Sequence, residues 1–149
     1  MALMAAFVVA YVAVRLVGPY LRSEPRYPDL DARAFAEKAI AAWQSVVPGS
    51  TPSYIVSMGA QRGRQAAGSL RMELPGRPQV LENNSKAFSP RIDEADLLRR
   101  GALVVSTIPI DASFKVFDRT VVAVLQDKRP SVRGHGSTPV WFAIVPPGR

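Results

Sequence analysis

The chain has 149 residues, enough for one modest domain with its own core, and 19 Lys and Arg against 12 Asp and Glu give a formal charge of +7. It has no cysteine and one histidine, His135, which excludes thiol catalysis, disulfides and zinc–thiolate sites. Thirteen prolines imply many turns, and the basic excess suits either nucleic acid or an anionic membrane surface.

The first segment, "MALMAAFVVAYVAVRLVGPYL", residues 1–21, carries one charge, Arg15. As a helix it is roughly 31 Å long, close to the hydrocarbon thickness of a bilayer. Apolar residues occupy every face, so a transmembrane helix is expected rather than a one-sided amphipathic one. Arg15 sits far enough along to reach the headgroups. Gly18 and Pro19 mark where the span kinks or ends, and Tyr11 and Tyr20 suit the interfaces. A signal peptide fits poorly: no basic residue precedes the apolar run, and no small-x-small cleavage site follows before Arg22. Arg22, Arg26, Arg33 and Lys38 all follow the segment, and by themselves they place the C-terminal part in the cytoplasm.

Residues 22–30 form a proline-broken linker, and 31–149 read as an α/β domain. "DARAFAEKAIAAWQSVV" predicts a helix capped by Asp31, with Phe35, Ala39, Ile40, Trp43 and Val47 on one face. "SYIVSM", 53–58, is an apolar strand. A helix is expected from Gln61 to Leu74, ended by "PGRP". "QVLEN", 79–83, is a second strand, followed by a loop holding "NNS", a chance-level match to the glycosylation acceptor pattern. In "IDEADLLRRGALVV", 92–105, Asp93 stands at an N-cap. Glu94 and Asp96 fall in the first turn, Arg99 and Arg100 in the last, and Gly101 stops the helix. "ALVVST", 102–107, is a third strand. Strands alternating with helices predict a mainly parallel sheet. "FKVFDRTVVAVLQ", 114–126, and "PVWFAIV", 139–145, read as two antiparallel strands added to one edge. Trp43 and Trp141 are expected in the core.

Few residues invite chemistry. The acids of 93–96 are accounted for by the helix they build, so no catalytic or metal-ligating residue is assigned. "GAQRGRQAAG", 59–68, sets Gly59 and Gly63, with two arginines, where a strand meets a helix. Gly59, Arg62, Gly63 and Arg64 are the candidate anion- or phosphate-binding residues, although the spacing is not that of a Walker A loop. His135 lies in a Gly-rich loop with no patterned carboxylate partner. The basic pairs have no interleaved aromatic residues, so the expected attraction is to anionic headgroups, not to nucleic acid. No cofactor is expected.

The order of these stretches resembles a known family. "AAWQSVVPGSTPSYIVSMG", "RPQVLENNSKAFSPRIDEADLLRRGALVVS" and "VWFAIVPP" are similar to the C-terminal soluble domain of bacterial family 39 glycosyltransferases, relatives of protein mannosyltransferases. There a last membrane helix leads to a helix carrying a Trp, matched by Trp43, and a strand ending in Gly, matched by Ile55, Val56 and Gly59. An Arg-Pro turn follows, matched by Arg77 and Pro78. A "D-x-A-D-L-x-x-x-G-x-L-V" unit comes next, matched by Asp93 to Val104, and then a closing Trp before a Pro-Pro pair, matched by Trp141 to Pro147. The resemblance implies a periplasmic domain held in the inner membrane by a single span in this chain. It also implies partnership with further membrane helices that transfer sugar from a polyprenyl-phosphate carrier. Upstream helices would then set the topology, overriding the local charges. The family's catalytic acids lie in a loop after its first membrane helix, which has no counterpart here, so the chain alone is expected to be inactive. The alternative expectation is a stand-alone membrane-anchored α/β binding module that associates with a membrane partner.

Overall fold

A computed structural model describes residues 2–21, 31–129 and 138–148. The chain divides into two units, one containing the first helix and the other comprising Ala32–Lys128 with Pro139–Arg149.

In the first unit, α1 runs Ala2–Leu21 and continues through Gly18 and Pro19 rather than ending there. Every described side chain of α1 is exposed, among them Met4, Phe7, Val9, Val14 and Leu16. The helix expected over residues 1–21 is present, but a membrane span is not shown. Among the described residues no helix is long and apolar enough to cross a membrane. Several α1 side chains, Arg15 among them, lie outside that set, as does the expected linker 22–30.

The second unit is α/β and layered. Its elements are α2 (Ala32–Gln44), β1 (Tyr54–Met58), α3 (Ala60–Glu73), β2 (Gln79–Glu82), α4 (Glu94–Arg100), β3 (Ala102–Ser106), β4 (Lys115–Val116), β5 (Arg119–Thr120), β6 (Val122–Arg129) and β7 (Thr138–Val145). Five strands form one sheet in the order β2-β1-β3-β7-β6. β1 pairs parallel with β2 and with β3, so that Ile55 faces Val80 on one side and Leu103 on the other. β7 runs antiparallel to β3, Val104 opposite Ala143. The mixed sheet therefore has the expected parallel part with the C-terminal strands added beside β3.

Both sheet faces are buried at the central strands, which is why β1 and β3 read as continuous apolar runs without polar alternation. Alternate residues feed two cores. Ile55, Leu103, Val105, Phe142 and Ile144 pack under α2 and α3, with Phe35, Trp43, Ala66 and Leu70. Val56, Val104, Ala143 and Val145 pack under α4, with Leu97, Val116 and Val121. The Phe35 and Phe142 rings lie tilted with centroids 5.5 Å apart. Fully burying a side chain of this size contributes about 1.5–3 kcal/mol. α2 stops at Gln44, short of the predicted end, where the amides of Val46 and Val47 turn back onto the Trp43 carbonyl. Trp43 is core, its indole N–H donating to Ser50 Oγ at 3.0 Å, whereas Trp141 is only half-buried.

The stretch 114–126 is not one strand, which corrects the sequence reading. Val116 pairs with Arg119 in a separate two-stranded sheet, β4-β5, and β6 begins after it. Phe117 at φ 51° makes the turn. The hairpin is held from outside by long-range contacts: Asn84 Nδ2 donates to the Lys115 carbonyl at 2.8 Å, and Arg119 donates to the carbonyls of Leu98 and Pro146, each at 3.0 Å.

Candidate functional site

The acidic cluster is resolved as a helix start. The Asp93 carboxylate accepts from the Asp96 amide at 3.2 Å, which makes it the N-cap of α4. Glu94 and Asp96 lie in the first turn and Arg99 and Arg100 in the last, each sign placed to favour the helix dipole. Gly101 ends the helix at φ 77° and ψ 173°, an extended glycine-only conformation rather than the left-handed helical one.

Asp96 has further partners. It accepts from the Tyr54 hydroxyl at 2.7 Å, from Arg99, and from Arg100 Nε at 3.0 Å. The Tyr54 hydrogen bond, together with the two guanidiniums, holds its carboxyl below the usual carboxylate range. Burial and the neighbouring Asp96 push the Tyr54 phenol up to about 12. A carboxylate so fully engaged is a structural anion, not a proton acceptor in waiting. Among the described residues no group of three or more His, Cys, Asp and Glu is placed to hold a metal ion. His135 lies outside the described residues.

The predicted anion-binding stretch sits where the chain order reverses. α3 packs on one face of the sheet and α4 on the other, so β1 and β3 flank a topological switch point, the usual ligand position in open α/β sheets. Here that crevice is stitched together. The Thr107 amide donates to the Met58 carbonyl at 3.1 Å, and its hydroxyl lies 3.4 Å from the Gly59 carbonyl. A Cβ on Gly59 would meet Thr107 Oγ1 at 2.1 Å, and one on Gly63 would meet the Met58 carbonyl oxygen at 2.1 Å. Close packing therefore explains both glycines. Gly59, at φ 99°, is the N-cap of α3 and has no side chain to offer. Arg64 pairs with Glu82 at 3.7 Å, and Arg62, exposed on the first turn, is also engaged. The four residues share one strand-to-helix junction, with their arginines on the exposed surface.

Two cavities of about 380 Å³ lie elsewhere on this unit. One, beyond the switch point, is lined mainly by Met58, Ile108, Pro109, Ile110 and Phe114. Its carboxylate, Asp111, is occupied by the amide and hydroxyl of Ser113 at 2.8 and 2.6 Å. The other runs beside β2 and brings together Arg71, Phe88 and Arg91. Sequence reading passed over these three. They come from α3 and from the loop after β2, and no spacing rule links them.

Comparison with family models, with curated proteins and with solved structures gave no match.

Proposed function

We propose that this chain is the C-terminal accessory part of a membrane glycosyltransferase of the family 39 type. In this reading α1 lies in lipid and the α/β unit stands at the extracytoplasmic face of the inner membrane. There it supports the membrane helices that move sugar from a polyprenyl phosphate, and it has no turnover alone. The observation that supports the reading is the meeting of the two stretches that carry the resemblance. Gly101 of the "D-x-A-D-L-x-x-x-G-x-L-V" unit lies so close to the closing Pro-Pro segment that a Cβ would sit 2.5 Å from the Val145 oxygen and 2.8 Å from Pro147 N. The Gly148 amide donates to the Leu98 carbonyl at 2.9 Å, and Arg119 bridges Leu98 to Pro146. Two motifs far apart in sequence thus make one joint, and their co-occurrence has a physical reason.

The exposed apolar side chains of α1 support lipid contact, since soluble chains rarely leave so large an apolar surface uncovered. The decisive experiment reads the coding sequence upstream. In-frame coding for further apolar helices, with an acidic loop after the first, is expected. A stop codon directly upstream overturns the transferase reading and favours an anchored binding module that associates with a membrane partner. Resistance of the chain to alkaline carbonate extraction is expected in both cases, and its release into the soluble fraction removes the anchor.

A further inference from the structure

The cavity beside β2 has the composition of a ligand groove. β2 is an edge strand, and the loop after it folds back along that edge. Ser89 closes the edge: its hydroxyl accepts from the Glu82 amide at 2.9 Å and donates to the Val80 carbonyl at 3.2 Å. The floor is therefore pinned at these two backbone groups. Arg71, from the last turn of α3, and Arg91, from the loop, line the groove, and both are exposed. Neither guanidinium has an ion-pair partner among the described residues. The carboxylate at the groove, Glu82, is met by Arg64, which does not line it. Two positive charges are thus left uncompensated. Phe88 lines the same groove with 62% of its surface exposed, an aromatic face with little packed on it. Gln79 is exposed beside it and offers an amide donor and acceptor.

Each of these groups asks for a different part of one ligand. Guanidiniums prefer phosphate oxygens, which they bind in pairs of parallel hydrogen bonds. An exposed ring suits a flat apolar face, and an amide suits hydroxyls. A volume of about 380 Å³ stands at the small end of ligand sites, right for a hexose phosphate and too small for a dinucleotide. We propose that the groove formed by Arg71, Phe88 and Arg91 binds a phosphorylated monosaccharide, phosphate on the two arginines and sugar ring against Phe88. This inference goes beyond the transferase reading and does not rest on it, because the groove lies wholly within the α/β unit.

The test is calorimetric titration of the full chain in neutral detergent with glucose 1-phosphate, inorganic phosphate, glucose, and glucose joined by phosphate to a short prenyl chain. Glucose 1-phosphate is expected to bind and glucose is not. The double variant Arg71→Gln, Arg91→Gln is expected to lose glucose 1-phosphate at least tenfold, because each charged hydrogen bond removed is worth about that factor. Phe88→Ala is expected to weaken glucose 1-phosphate severalfold and leave inorganic phosphate unchanged. Tighter binding of the prenyl conjugate assigns the phosphate to a lipid carrier, and equal binding assigns it to a soluble sugar phosphate. All three residues are exposed, so circular dichroism of the variants should match the parent. The proposal is overturned if glucose 1-phosphate does not bind at millimolar concentration. It is also overturned if the double variant binds as the parent does, or if Arg77→Gln, outside the groove, weakens binding equally.

Discussion

The Tyr54 hydroxyl donates a 2.7 Å hydrogen bond to Asp96, tying the first strand of the sheet to a helix 42 residues further on. Tyr54 is almost wholly buried in the core under α4, and Asp96 stands at that core's edge with 23% of its side chain exposed. The contact gives the buried phenol its partner and, with Arg99 and Arg100, fixes the first turn of α4.

Tyr54→Phe removes that hydrogen bond and leaves the ring in place. Asp96 keeps both guanidiniums and enough exposure for water to replace the lost donor. The expected cost is about 1–2 kcal/mol, between the values for a neutral hydrogen bond and for one to a charged group, with an unchanged fold. Urea unfolding measures it. A variant as stable as the parent would mean that the contact contributes nothing net.

The same pair predicts stability at both ends of the pH range. Tyr54 is an acid with a raised folded pKa, so the fold prefers its neutral form. That contribution is complete below the ordinary value near 10 and is lost as pH rises through about 12. Asp96 is an acid with a lowered folded pKa. Its contribution is present above the unfolded value, about 3.9, and is lost as pH falls through the lower folded value. The melting-temperature gap between parent and Asp96→Asn should therefore be constant at neutral pH and shrink in acid below about pH 4. Phenolate absorbance should show one tyrosine titrating well after an ordinary phenol. A gap that ignores pH, or a Tyr54→Phe variant with an unchanged alkaline titration, contradicts this.

Sequence reading succeeded where a residue's reason is local. Asp93 and Gly101 bound α4 at the limits they imply, because a cap and a glycine-only conformation act on their own turn. The apolar runs around Ile55 and Val104 declared strands, and the structure buries both on both faces. It failed where the reason is distant. Nothing near Phe117 announces a turn, since Phe rarely adopts positive φ. The hairpin exists because Val116 and Val121 fill the core under α4 while Arg119 is held by Leu98 and Pro146. That Gly59 and Gly63 are also required by close approach to Thr107 and to the Met58 carbonyl is invisible in one dimension. The groove of Arg71 and Arg91 was illegible for the same reason.

Ser89 predicts a defect at the sheet edge. An uncovered edge strand is a template for pairing with another chain. Ser89 occupies a donor and an acceptor of β2, bonding the Glu82 amide and the Val80 carbonyl. Ser89→Ala leaves both to water or to a neighbour. A loss of about 1–2 kcal/mol is expected, with faster aggregation on warming. Unfolding and light scattering test the two parts separately. Unchanged scattering would show that other loop residues suffice to cover the edge.

Three glycines give opposite predictions from geometry. Gly68 lies inside α3, and a Cβ there meets nothing within 4 Å. Gly68→Ala reduces the freedom of the unfolded chain and adds no clash, so it should stabilise by about 0.5–1 kcal/mol. Gly63, one turn earlier in the same helix, would place a Cβ 2.1 Å from the Met58 carbonyl oxygen, a rigid backbone atom. Gly101 combines φ 77° with a Cβ position 2.5 Å from the Val145 oxygen. Each of these two should lose about 2–4 kcal/mol as Ala, since the strand and the helix must separate to admit the methyl group. Helix propensity alone would rank Gly63→Ala beside Gly68→Ala as a gain. Measuring both variants by urea unfolding therefore decides whether propensity or packing governs α3, and a stabilised Gly63→Ala would refute the close strand–helix contact described here.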